Sequence, residues 1–455
     1  MNWRSETRWV GLSATALLLA GLAFAAEGAA PQEKPLTLDE CIREALIHNP
    51  QLNAAAARSQ ALDHAADAVR ASRWPRIDLS LDYSYADRPQ RLMQPSFQGE
   101  VLLYDSDIAQ AMAEVRVPLF AGGRLVARQR AAELAAAAGR CHLQGSRQDL
   151  VLNVTAAYLA ASQQQSVIDS MDASLQALRE GQKVMATMLE VGRSAPLELL
   201  KVEVRVAAIE QRLSKAIRDR ELIALHLGVL LGRDGPSVLP RVAGLPALPL
   251  PEKGEVAAWV DQAANARAEV KAAQKDTARR QSELDLVRGE RWPSLDAFAR
   301  WTGRSTVPAQ NVGIPSAQDF LAAGLTVRLP LWTGGELTAR ERQARALLKE
   351  AQARERAEIL SVREQAQREA AALAEASGRA MVGEKAVAQA REAFAIERSN
   401  FELGRAAVND ILDAQAALLD AELALAQARH DEAYAAIALA WAAGSDLEKR
   451  VMESK

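Results

Sequence analysis

Arg73-Trp74-Pro75-Arg76-Ile77-Asp78-Leu79-Ser80-Leu81-Asp82-Tyr83-Ser84-Tyr85 is the stretch on which the reading of this chain turns. From Ile77 to Tyr85 apolar and polar residues alternate without a break, the period-two pattern of a strand with one apolar and one polar face. A less regular partner precedes Pro118, where Ala111, Ala113, Val115 and Val117 alternate with Met112, Glu114 and Arg116. The pair predicts a hairpin over about 76–118. A soluble sandwich edge gives the same alternation, so context decides.

The context is a duplication. Arg73-Trp74-Pro75 returns as Arg291-Trp292-Pro293, an offset of 218. Pro118-Leu119-Phe120-Ala121-Gly122-Gly123 returns as Pro330-Leu331-Trp332-Thr333-Gly334-Gly335, and Gly192-Arg193 as Gly404-Arg405, both at an offset of 212. The change in offset falls wholly between the Trp-Pro and Gly-Gly signals, so the hairpin is the length-variable part. A second hairpin is predicted over about 294–331, with Leu295, Ala297, Ala299 and Trp301 and then Leu325, Val327, Leu329 and Leu331 on its apolar face. The chain divides into 26–235, a Pro-rich linker over 236–255, a second repeat over 256–446 and a charged tail over 447–455.

Between each Gly-Gly signal and each Gly-Arg turn lie 68 residues without proline, 124–191 and 336–403. A helix of that length spans roughly 100 Å, beyond any ordinary globular domain. The returning helices carry a heptad seam, Leu199, Val202, Val206, Ile209 and Leu213 in the first repeat and Ile411, Ala414, Leu418, Ala421 and Leu425 in the second, which selects side-by-side coiled-coil packing. A soluble helical bundle would use the same seam.

Arg4 and Arg8, the apolar run Val10 to Leu22 and Ala23-Phe24-Ala25 read as a signal peptide over 1–25, which puts the mature chain outside the cytoplasm. No later segment has the apolar length of a spanning helix, so any membrane entry falls to strands. Four strands cannot enclose a wet lumen, and open sheet edges are not tolerated in lipid, so a membrane reading forces oligomerisation. Aromatic residues make up 4% of the chain against 25% charged, the usage of extended helices. A net charge of −3 without a basic stripe argues against nucleic acid. His48, His64, His142, His226 and His430 have no ligand spacing and no nucleophile motif appears, so neither an enzyme nor a metal or cofactor is expected. Cys41 and Cys141 fit no metal or redox spacing, and whether they pair is open.

Leu36-Thr37-Leu38-Asp39-Glu40 with Asn49-Pro50, the duplicated Trp-Pro and Gly-Gly signals and the two Gly-containing turns, in that order, resemble the TolC family of outer-membrane efflux proteins. The resemblance implies a mainly α fold with membrane β: long coiled-coil helices of an α-barrel, plus four strands per chain in a shared, trimeric, twelve-stranded transmembrane barrel. It implies an exit duct for a tripartite efflux or type I secretion system, in the outer membrane with a large periplasmic portion. The partners implied are two further copies, outer-membrane lipid, a periplasmic adaptor and an inner-membrane pump of RND or ABC type. By the same resemblance Val191-Gly192-Arg193-Ser194 and Leu403-Gly404-Arg405-Ala406 are the periplasmic tip turns, and Asp410 and Asp413 form a gate. Spacing by three puts both carboxylates on one helix face, whereas the first repeat has Glu198 and Lys201 there. The family often places a tip arginine two residues after the glycine; Arg193 and Arg405 follow it directly and are assigned to adaptor contact. The alternative is a soluble periplasmic coiled-coil adaptor or scaffold, which would not carry matched strand hairpins.

Overall fold

The computed structural model describes residues 35–87, 90–91, 103–104, 107–233, 253–306, 317–403 and 405–452. The expected signal peptide, nearly all of the expected linker and Gly404 lie outside these residues.

Each repeat opens with two helices broken by one residue. In the first, α1 (Leu38–His48) starts at a capping box between Thr37 and Glu40, and Asn49-Pro50 ends it and starts α2 (Pro50–Ala71). In the second, α5 (Lys253–Ala266) and α6 (Ala268–Gly289) meet at Arg267. The strands follow: β1 (Arg76–Tyr85), a two-residue pair β2 (Gln90–Arg91) and β3 (Leu103–Tyr104), and β4 (Asp107–Ala121); then β5 (Ser294–Thr306) and β6 (Ala317–Arg328). Next come the long helices, α3 (Arg124–Glu190) and α7 (Glu336–Glu402), of 67 residues each. Their returning partners, α4 (Pro196–Leu230) and α8 (Val408–Ala442), have 35 residues each. Equal helices and unequal strands are what the shift in repeat offset predicts.

The two hairpins merge into one antiparallel sheet of order β1-β4-β5-β6, with β4 against β5 across the repeat boundary and a bulge between Pro118 and Phe120. Register keeps the faces in phase. Ile77, Leu79, Leu81 and Tyr83 stand opposite Val115, Ala113, Ala111 and Ala109. Those continue into Ala299, Trp301, Gly303 and Ser305, and Leu295, Ala297, Ala299 and Trp301 into Val327, Leu325, Ala323 and Leu321. One face is therefore apolar across all four strands.

The main core lies at the far end of the two-helix starts, where Cys41, Ile42, Val154, Tyr158, Leu227, Leu231 and Leu447 are buried together. Residues 447–452 form a short helix, α9 (Leu447–Met452), whose Leu447 plugs this core. Both cysteines are unpaired, and burial together with the Glu44 carboxylate, against Arg233, pushes the Cys41 thiol up to about 12.

Of the expected α4 seam, Val202, Val206 and Ile209 are buried, and Leu199 and Leu213 are half-buried against the same cluster. The α8 seam is not. Its buried stripe is Val408, Leu412, Gln415 and Leu419, while Ile411, Ala414 and Leu418 are only half-buried. The reason is that α8 has two neighbours. One stripe meets α3, where Gln415 Nε2 donates to the Ser174 carbonyl at 2.9 Å; Leu425, from the predicted seam, lies against Gly383 of α7.

Candidate functional site: a lipid-facing sheet and a distant helical tip

At one end of the long helices the sheet turns its apolar face outward. Ile77 and Leu81 are each 74% exposed and Leu325 66%, with Leu79, Tyr83, Tyr85, Leu321 and Val327 in the same state. A contiguous apolar face over four strands would not survive in water and marks a membrane or partner surface. Among the described residues no helix is long and apolar enough to cross a membrane. Trp74, Trp292 and Trp332 are exposed where the sheet meets the helices, the position of an interfacial aromatic girdle.

The opposite face carries Arg76, Asp78, Ser80 and Asp82 on β1, Glu114 and Arg116 on β4, Asp296, Arg300 and Arg304 on β5, and Thr326 and Arg328 on β6. Glu114 is held by Arg116 at 2.5 Å and Arg300 at 2.6 Å, tying β4 to β5. The outer edges of β1 and β6 have no strand beside them among the described residues.

At the other end, α3 and α7 turn back into α4 and α8. Gly192 has φ +70, which lets the Arg193 N–H reach the Met188 carbonyl at 2.8 Å and closes the helix. The second turn repeats the bond, Arg405 N–H to the Asn400 carbonyl at 2.8 Å. Arg193 and Arg405 are exposed, and neither guanidinium has a side-chain partner among the described residues. Ser194 and Ala406 lie half-buried within the turns.

Asp410 and Asp413 lie just past the second turn but do different things. Asp410 Oδ2 accepts the Ala407 N–H at 3.0 Å, closing an otherwise open donor at the start of α8. Asp413 is 74% exposed and reaches sideways to Arg205 of α4 at 3.5 Å. In the first repeat, Glu198 and Lys201 neutralise each other within α4 at 3.0 Å.

Arg205 escaped the sequence reading, because nothing in its local spacing points to a helix two hundred residues away. So did an exposed apolar stripe at the tip, Leu197, Leu200 and Val204 on α4, together with exposed Val191 and Leu403 in the two turns. That stripe had a legible signal, a second apolar period on α4 outside its seam.

The comparisons with known proteins agree with this layout. A family model described as outer membrane efflux protein matches residues 41–233 and again 259–445, the two repeats. The outer membrane protein TolC of Vibrio cholerae is 24% identical over 432 residues, covering 91% of this chain and 92% of that protein. The outer membrane protein VceC of Vibrio cholerae has the same fold, with a TM-score of 0.77 at 20% identity over 90% of this chain and 96% of that one. The outer membrane channel CmeC of Campylobacter jejuni also has a TM-score of 0.77, at 16% identity over 94% of each chain. With both repeats matched and the sheet built for lipid, the chain belongs to the outer membrane efflux protein family and resides in the outer membrane.

Proposed function

We propose that three copies of this chain form a passive exit duct, the outer-membrane end of a tripartite efflux or type I secretion assembly completed by a periplasmic adaptor and an inner-membrane pump. The observation that carries this is the sheet: apolar on one side, charged on the other, and open at both edges among the described residues. In lipid each open edge leaves backbone groups unsatisfied at several kcal/mol apiece, approximately, which only neighbouring strands can relieve. Joining β6 of one chain to β1 of the next closes twelve strands around a wet lumen. The apolar tip stripe, with the exposed Arg193 and Arg405 that have no side-chain partner among the described residues, supplies the surface for the adaptor. No bond chemistry is required of the chain; the pump supplies the energy.

The closure is testable in membranes. Leu79→Cys on β1, combined in turn with cysteine at Leu321, Ala323 and Leu325 on β6, is expected to give disulfide-linked dimers and trimers for one register and none for the others. Monomer throughout the series, with the protein recovered in the soluble periplasm, would sink the duct in favour of a soluble scaffold.

Asp410 and Asp413 are proposed as the gate. Three copies would bring six carboxylates to the tip, a negative constriction that attracts cations. The Asp413–Arg205 contact is exposed, worth no more than about 1 kcal/mol, so it sets a weak latch between α8 and α4 that a docking partner can release. Replacing both aspartates with Ala is expected to raise single-channel conductance severalfold in planar bilayers and to weaken block by divalent cations. Arg205→Ala should raise conductance alone while leaving that block in place. Wild-type behaviour in both variants would remove the gate assignment without touching the fold.

A further inference from the structure

The wet face of the sheet concentrates charge around one residue. Register places Arg76 opposite Arg116, and in the next row Asp78 opposite Glu114 and Glu114 opposite Arg300. Arg76 engages Asp78 at 2.9 Å. Glu114 alone serves two guanidiniums, Arg116 at 2.5 Å and Arg300 at 2.6 Å, and is only 12% exposed between them. The Arg300 guanidinium also lies 5.8 Å from the Phe298 ring, which holds it against the wall. Across the described strands this face sets five arginines (Arg76, Arg116, Arg300, Arg304 and Arg328) against four carboxylates (Asp78, Asp82, Glu114 and Asp296), leaving one positive charge per chain, and Glu114 is neutralised from strands of both repeats.

Resting on the duct reading above, we propose that this patch is a second selectivity element, a band in the membrane section that favours anionic groups, with Glu114 setting its strength. A charged ring lining a pore biases which ions enter, and its reach is the Debye length. The band sits at the opposite end of the molecule from Asp410 and Asp413 and has the opposite sign. Substrates carrying carboxylate or phosphate would be held back at an acidic tip and admitted by the barrel, so the two elements act in series on charge rather than on shape.

The test is the potassium-to-chloride permeability ratio of the full-length protein in planar bilayers, read from reversal potentials in a KCl gradient. Glu114→Gln doubles the net charge of the patch and is expected to shift the ratio toward chloride by roughly twofold or more near ~10 mM salt, where the Debye length is about 30 Å. The shift should vanish near ~1 M, where that length is about 3 Å. Arg300→Gln should move the ratio toward potassium, and Glu114→Asp should leave it as in the wild type. Channels whose ratio is unchanged in both Gln variants would overturn the proposal. So would shifts of the same sign in both, which report distortion of the wall rather than its charge. Absence of any wild-type conductance is a distinct result: it would overturn the duct reading, and this inference with it.

Discussion

Gly232→Ala is expected to destabilise the protein by about 3 kcal/mol or more, and the reason is a backbone atom. Gly232 ends α4 at φ +75, a conformation costing an L side chain ~1–2 kcal/mol by itself. A Cβ there would also sit 2.4 Å from the His48 carbonyl oxygen at the end of α1. That oxygen cannot rotate aside, so α1 and α4 must part, and they are joined through a core in which Ile42, Leu227 and Leu231 are sealed. Forced shifts in such packing add ~1–3 kcal/mol. Gly123 is the matched control: φ is +80, but nothing lies within 4 Å of its Cβ position, so Gly123→Ala should cost only the backbone share. Thermal unfolding of the detergent-solubilised protein, followed by circular dichroism, should show a fall in midpoint for Gly232→Ala at least about twice that for Gly123→Ala. Equal falls would show that α1 yields and that the contact is unimportant.

The second large effect is expected at Arg267, the residue between α5 and α6. Its side chain is 7% exposed, and its guanidinium holds Glu269 at 2.9 and 3.0 Å and donates to the Trp441 carbonyl at 3.3 Å. It also stacks 3.8 Å from the centre of the Trp441 ring, whose Nε1 donates to Asp149 at 2.9 Å. Burial raises the Glu269 carboxyl, but the Arg267 bond, its own N–H and His142 outweigh burial and hold it below the usual glutamate value. Arg267→Ala strands that carboxylate in a half-buried site. Removing one partner of a buried pair costs ~3–5 kcal/mol; with Glu269 partly exposed, about 3 is expected. Arg267→Lys should recover little, because an ammonium can neither fork onto the carboxylate nor stack. A cycle with Glu269→Ala checks the assignment: the double variant should lose clearly less than the sum of the singles. Simple additivity would mean that the pair contributes nothing and that the loss is packing alone.

These two sites are one device used twice. Asn49 breaks α1 from α2 and donates to the Leu230 carbonyl of α4 at 2.9 Å, as Arg267 breaks α5 from α6 and donates to the Trp441 carbonyl of α8. Gly232 closes on His48 and Gly444 on Ala266 in the same way. Each returning helix is thus pinned at the end far from the tip by the same pair of contacts.

Much of this was legible in the chain itself. Period two along 77–85, the paired Trp-Pro and Gly-Gly signals and the proline-free runs are local facts with local causes, and they account for the strands, their faces, the helix lengths and the duplication. The α8 seam misled because a helix with two neighbours has two stripes, and the stripe facing α3 contains Gln415, a polar residue that an apolar count discards. Asn49 and Arg267 stand at the same offset of 218 as the Trp-Pro signals, but an amide and a guanidinium look unrelated in sequence, and only the docked helices show both donating to a carbonyl of the returning helix. The tip aspartates could be located but not told apart, since one caps its own helix and the other reaches Arg205.

What the sequence by itself determined is everything that depends on neighbours within a few residues: which segments are strand or helix, which face is apolar, and that the unit occurs twice. What only the tertiary structure decided is which distant groups meet: Glu114 with Arg300, Asp413 beside Arg205, Arg267 under Trp441. Such pairs depend on how two elements hundreds of residues apart are docked, and the same side chains in another docking would face water.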